Sequence, residues 1–246
     1  KAVKKAGLPE GFRVHDLRDT GNTWAAGSGG NLREVVERME AVPGVASAAI
    51  TNAVPLSGMR PGQTRLLVEG DGTDLAPTVD VCIASPAYFD LLGIPLIRGR
   101  PFKTSDTEDT ERVVVINETA ARYWNGRDPL GARVSSDGGR TWFTVVGVVG
   151  DVRQFGLDVE VRAQAYQPLA QANGNLDGRI LAGTTGDPIA VMGALRSAIQ
   201  NVDPEMPIER MQTLDTLRAA HLATPRLTAL LLTIFAVLAL CITVAG

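Results

Sequence analysis

The chain has 246 residues, a formal net charge of -3 and 45% hydrophobic residues, enough for one large or two modest domains with real cores. No basic block extends beyond Lys1, Lys4 and Lys5, so the electrostatic footprint of a nucleic-acid binder is missing and nucleic acid is set aside as a partner. Cys82 stands in a strand-like run and Cys241 in an apolar one, too different in setting to read as a disulfide, so the fold has to stand on packing.

Residues 1–30 begin with a short basic start and pass into GNTWAAGSGG, which reads as loop. From Asn31 the pattern changes. Leu32, Val35, Val36, Met39 and Val42 recur at helical spacing, with Arg33, Glu34, Glu37, Arg38 and Glu40 opposite, so an amphipathic helix capped by Asn31 is expected. Pro43 and Gly44 stop it, and VASAAITNAV from Val45 reads as a strand returning beside it. Two further strands are expected at Thr64–Gly70 and Thr78–Ala84, followed by a short helix that Ser85-Pro86 caps and Gly93 ends.

In PLIRGRPF the spacing of Pro95, Gly99 and Pro101 forces a strand end and a turn, which puts Arg98 and Arg100 on an exposed edge. RVVVIN at Arg112–Asn117 is a β-branched run whose Asn117 caps the helix ETAARYW, and DPLG at Asp128–Gly131 is a turn. Thr141–Val149 is the most strand-like piece of the chain, Val161–Leu169 its successor, and Gly178–Thr184 a further strand. Gly147 and Gly150 in VVGVVGDV point to a bulge or a close backbone approach. Asp187-Pro188 starts a second amphipathic helix with Val191, Met192, Leu195, Ala198, Ile199 and Val202 on one face. Pro207–Met211 reads as a strand, and LDTLRAAHLA as a helical lead toward the C-terminal run.

That run, Leu227–Gly246, holds no charged residue over about 20 positions, the length at which a helix crosses a hydrocarbon core of roughly 30 Å. Thr224-Pro225 marks its start as an N-cap and first-turn proline. A transmembrane helix is therefore expected, with the lipid bilayer as a partner. Because the chain opens at Lys1 and stops inside the apolar run, it is expected to be a piece of a longer protein.

The resulting fold class is α+β: two small α/β subdomains followed by a transmembrane helix. The first subdomain is discontinuous, residues 31–60 and 175–212; the second, 61–174, is strand-rich and inserted; 213–246 hold the connecting and membrane helices. The inserted arrangement lets the early and late helices cover one sheet.

Searching for chemistry leaves little. No phosphate-binding GxxxxGK[ST] loop, GxSxG elbow, CxxC or HExxH spacing occurs, so no catalytic, cofactor or metal residue is assigned and no enzyme is expected. His15 reads as a loop residue, and His221, in the helix before the span, as an interfacial one. Asp106, Glu108, Asp109 and Glu111 are oxygen-rich but lack the ligand order and turn glycine of a calcium loop, and read as a solvated loop. Arg98 and Arg100 read as solvated edge cations that discourage sheet pairing.

Three ordered blocks carry a resemblance: VDVCIASPAYFDLLGIPLIRGRPF, RVVVINETAARYWNGRDPLG and FTVVGVVGDVRQFGL, over Val79–Leu157. They resemble the MacB-like periplasmic core domain of bacterial ABC transporter permeases, and TPRLTALLLTIFAVLALCITVAG resembles the opening of the FtsX-like permease domain. The resemblance implies a non-catalytic permease domain in the inner membrane with residues 1–222 extracytoplasmic. It also implies a separate ABC ATPase subunit, a second permease subunit as dimer partner, and a periplasmic adaptor as a further candidate partner. A membrane-anchored sensor or binding domain without a transport role is the alternative.

Overall fold

The computed structural model describes residues 12–17, 28–57, 60–70, 76–156, 159–172, 178–204 and 208–217, with residues 219 and 235 besides. In chain order the elements are β1 (Phe12–Leu17), α1 (Ser28–Glu40), β2 (Val45–Thr51), β3 (Gly62–Arg65), β4 (Leu67–Val68), β5 (Thr78–Ala84) and α2 (Tyr88–Leu91). Then come β6 (Leu96–Gly99), β7 (Val113–Asn117), α3 (Glu118–Ala121), β8 (Arg133–Ser135), β9 (Phe143–Val149), β10 (Gln164–Pro168), β11 (Arg179–Thr184), α4 (Pro188–Val202) and β12 (Ile208–Thr213). The described strands form one sheet in the order β12-β1-β11-β2-β5-β10-β7-β9-β8-β4, with β3 also on β5 and β6 also on β9. This is a mixed, sheet-rich α+β fold.

At the β12-β1-β11-β2 end, strand alternation decides what each face meets. Ala48, Ile50, Ile180 and Ala182 face Val35 and Met39 of α1 and Leu195 and Ile199 of α4, all fully buried. The intervening Ala49 and Leu181 face the opposite core. Asp187 caps α4 by accepting from the Ile189 N–H at 2.8 Å, with Pro188 in the first turn. At the other end β7 is buried along its whole length, Val113 and Val115 entering one core and Val114 and Ile116 another.

Several expectations are corrected. The helix begins at Ser28, not after a cap at Asn31. Two glycines in its first turn cost about 2 kcal/mol against alanine, which the buried Val35 and Met39 face outweighs. Phe12–Leu17, read as part of a loop, is β1, paired on both sides with β11 and β12. The run Thr64–Gly70 is divided between β3, which pairs with β5, and β4, which pairs with β8. Gly147 lies beside a ladder shift between β7 and β9, and a Cβ on it would come within 2.2 Å of the Arg100 carbonyl, so only glycine fits there.

Among the described residues no helix is long and apolar enough to cross a membrane. The expected span Leu227–Gly246 lies, Phe235 apart, outside the described residues, as do His221, Thr224 and Pro225.

Candidate functional site

The two ends of the sheet meet at one ladder pair, Thr51 and Ala84. The Asn52 N–H donates to the Ile83 carbonyl at 3.3 Å and the Ser85 N–H to the Ile50 carbonyl at 2.9 Å. Thr51 and Ala84 are therefore a non-hydrogen-bonded antiparallel pair, the kind whose backbones approach most closely. Side chains finish the joint: Asn52 Oδ1 accepts from the Ile83 N–H at 2.7 Å and Ser85 Oγ from the Ile50 N–H at 3.0 Å. Ser85 thus corrects another expectation. Its hydroxyl ties β2 to the end of β5, and α2 has Ala87 at its N-cap position, with no side-chain cap bond.

Behind the joint sits α2. The Tyr88 hydroxyl donates to the Ala53 carbonyl at 3.0 Å, and the Phe89 ring lies 5.6 Å from Phe102 and 5.1 Å from Tyr166, centroid to centroid. A Cβ placed on Gly183 of β11 would meet Leu91 Cδ1 at 2.8 Å, so the end of α2 lies directly on the far half of the sheet. The same cluster takes in Leu214, which follows β12 immediately, with Leu217 packed against it. Residues 214–217 are helical, so the first turn of the expected lead helix is seated in the core that spans the joint.

This site is unsuited to bond chemistry. Burial, and secondarily Asp80, push the Cys82 thiol far above its ordinary value, and burial does the same to the Tyr88 and Tyr166 phenols. All three stay protonated at neutral pH, Cys82 packing as a small apolar group and the two phenols serving as hydrogen-bond donors to Ala53 and Gln164. Asp80, 1% exposed, accepts from Gln63 Nε2 at 2.8 Å and lies 3.9 Å from Arg162 Nη1, whose guanidinium sits 4.7 Å over the Phe155 ring.

The other candidate residues are dispersed. His15 is a strand residue, its backbone opposite Ile180 and Met211, not a loop residue. Asp106 is buried, not solvated: Arg100 grips it with two bonds of 2.8 and 3.0 Å, and the Lys103 N–H adds a third at 2.8 Å. Glu111 accepts from the Thr144 hydroxyl at 2.6 Å, while Glu108 and Asp109 remain exposed. Among the described residues no group of three acidic, histidine or cysteine side chains is arranged to hold a metal. Arg98 is exposed on the edge strand β6, as expected, with Asp128 2.5 Å away, whereas Arg100 is corrected from a solvated edge cation to the partner of Asp106. The joint went unread because its signals, one Asn after a strand and one Ser before a proline, also mark ordinary turns and caps.

A search of curated proteins gives no match. Among solved structures, the periplasmic region of MacB from Actinobacillus actinomycetemcomitans is similar with a TM-score of 0.62 at 16% identity, covering 89% of this chain and 97% of that one. The extracellular domain of the noncanonic ABC-type transporter YknZ from Gram-positive bacteria is similar with a TM-score of 0.55 at 14% identity, covering 82% and 98%. At these identities the likeness establishes the fold. The family model of the MacB-like periplasmic core domain matches residues 10–204, most of the chain and all three sequence blocks. With that match taking in every strand from β1 to β11 and the joint among them, the chain belongs to the MacB-like periplasmic core domain family.

Proposed function

We propose that this chain is the extracytoplasmic part of an ABC transporter permease of the MacB/FtsX type, without catalytic chemistry of its own. It passes motion between a membrane-embedded helix and the outer domain. A separate ATPase subunit drives a pair of such permeases in the inner membrane, with residues 1–222 outside and Leu227–Gly246 opening the FtsX-like membrane domain. Residues 31–60 with 175–212, and 61–174, act as two subdomains. The observation that carries this reading is the seating of Leu214 and Leu217 in the core behind the joint. A displacement of the lead helix cannot occur without repacking that core, because close-packed interiors transmit strain and do not absorb it.

The experiment is a length test in the intact permease. Four glycines inserted after Leu222 uncouple the lead from the membrane helix, and nucleotide-driven export or signalling should fall at least tenfold while the protein still reaches the membrane. Unchanged activity would remove the coupling role, and the chain would then act as an anchored binding domain.

A further inference from the structure

We infer that the Thr51–Ala84 joint is a hinge, about which the β12-β1-β11-β2 half and the strand-rich half swing while α2 slides across the face of the first. The inference rests on the permease reading only for what drives the motion, not for the hinge itself.

Three observations carry it. The first is the length of the joint. The neighbouring ladders are long, β5 to β10 from Asp80–Gln164 to Ala84–Pro168 and β2 to β11 from Val45 to Thr51, and the short β10–β7 ladder still holds two pairs, whereas β2 meets β5 at one. A twist between strands is resisted by every hydrogen-bonded pair that must shift, so deformation concentrates where pairs are fewest. The second is who holds it. Two of its four hydrogen bonds come from the side chains of Asn52 and Ser85, which follow a rotation by turning about χ1, as a backbone ladder cannot.

The third is the texture of the contact. α2 belongs to the strand-rich half, since it follows β5 directly, yet its end lies on β11. There it meets Gly183 beside Ser47 Oγ, with Ala49 in the same cluster. Small residues give a face with shallow grooves, on which a helix translates without forcing side chains through one another. The opposite side of α2 is different. Tyr88 and Phe89 interlock with Tyr166 and Phe102 at ring distances of 5.1 to 5.9 Å, which fixes α2 to its own half. A contact made through small residues and one hydrogen bond, Tyr88 to the Ala53 carbonyl, on one side and an interlocked one on the other is the arrangement of shear about a hinge. Leu214 enters this layer, so the hinge is placed where the lead helix acts on it.

The test uses the full-length protein in membranes with Cys241→Ala, the buried Cys82 retained, and nitroxide labels at Arg38→Cys on α1 and Arg140→Cys at the far turn, both exposed positions. Labelled protein is diluted with unlabelled protein so that pulsed electron resonance reads distances within one chain, without nucleotide and with ATP and vanadate. The expected result is a broad or two-peaked distribution that shifts with nucleotide. It should become about twofold wider in Asn52→Ala/Ser85→Ala, where both side-chain ties are gone. If that variant does not fold, Leu91→Val, which thins the sliding contact, should shift the balance of the peaks. One narrow distance, the same in every state and variant, overturns the hinge. The permease reading fails separately. A distribution that widens in the variants but ignores nucleotide supports the hinge and counts against ATP-driven motion. A nucleotide-dependent distance between the Arg140 labels of two copies, with a constant distance within each, supports the permease and overturns the hinge.

Discussion

The two ends of the sheet are stabilised by different means. At the β12-β1-β11-β2 end, two helices lay apolar faces on alternating strand residues, and the described side chains in that core are hydrocarbon or thioether groups such as Ile50, Met39, Leu195 and Ile199. At the strand-rich end, polar side chains from distant parts of the chain stitch loops to strands. Asn117 is fully buried, accepts from the Ala120 and Gln164 N–H groups at 2.9 Å each, and donates to the Arg162 carbonyl at 2.9 Å. Gln171 accepts from the Val113 N–H and donates to the Thr107 and Glu111 carbonyls, each at 2.9 Å. The lesson is that helices close their own backbone bonds and need only an apolar face, whereas irregular loops packed on a sheet leave backbone groups that side chains must satisfy.

The contrast is broken most severely at Asn117. Asn117→Ala leaves two buried N–H donors and one carbonyl without their partner, at about 1–3 kcal/mol for each orphaned group. A loss of about 4 kcal/mol on chemical denaturation is expected. Leu195→Ala at the opposite end opens a cavity and removes transfer energy, and should cost about 3 kcal/mol. The distinguishing control is shape. Leu195→Met should recover most of its loss, since volume is what that core needs. Asn117→Leu should recover almost none, and recovery there would sink the idea that polar stitching holds the strand-rich end.

A smaller effect separates the ends by pH. Burial alone would raise the Asp106 carboxyl, but the Arg100 fork and the Lys103 N–H outweigh it and hold it below its ordinary value. A carboxylate depressed in the folded state contributes stability above its unfolded value, about 3.9, and loses it as pH falls through the folded one. The stability advantage of the native chain over Asp106→Asn should therefore be flat above pH about 5 and shrink below pH about 4. Asp137, whose burial penalty is outweighed by the N–H and hydroxyl donors of Thr141, Ser135 and Arg140, is held down to about 2 and adds a second acid-labile tie at this end. An advantage over Asp106→Asn that grew on acidification would contradict the Asp106 assignment, and the same trend over Asp137→Asn would contradict the other.

The same contrast explains what could be read from the residues alone. Helical spacing exposed the faces around Val35 and Leu195, and β-branched runs exposed β5, β7 and β9, because burial on a regular element imprints a period. Asn117 was legible as a cap for the same local reason, but its bonds to Gln164 and Arg162 are 47 and 45 residues away and leave no period. The Arg100–Asp106 pair was read as two free surface features, since nothing in RGRPFKTSD states that the turn folds the carboxylate back onto the guanidinium. Phe12–Leu17 was missed because FRVHDL breaks its alternation with Asp16, and pairing with β11 and β12 supplies what propensity does not. The joint at Thr51 and Ala84 is the extreme case, since one ladder pair has no length over which a pattern could repeat.

The smallest expected effect concerns charge pairs at the two ends, and it tests whether surface ion pairs take any part in the contrast. On α1, Arg33 and Glu37 lie 3.2 Å apart at i and i+4, with side chains 70% and 63% exposed. The arginine precedes the glutamate, the weaker order on a helix. At the other end Arg133 and Glu69 lie 3.0 Å apart on neighbouring strand segments, each 49% exposed, and the same guanidinium sits 5.7 Å from the centre of the Trp142 ring. Water screens both pairs, and each long side chain gives up rotamer freedom to form them, so double-mutant cycles should return about 0.3 kcal/mol for the first and no more than about 1 kcal/mol for the second. Both should fall as salt rises to molar levels, since exposed pairs are screened over a few ångströms there. A coupling above about 2 kcal/mol at either pair would mean that exposed charge, and not buried polar stitching, distinguishes the ends, because open surface pairs do not reach that value.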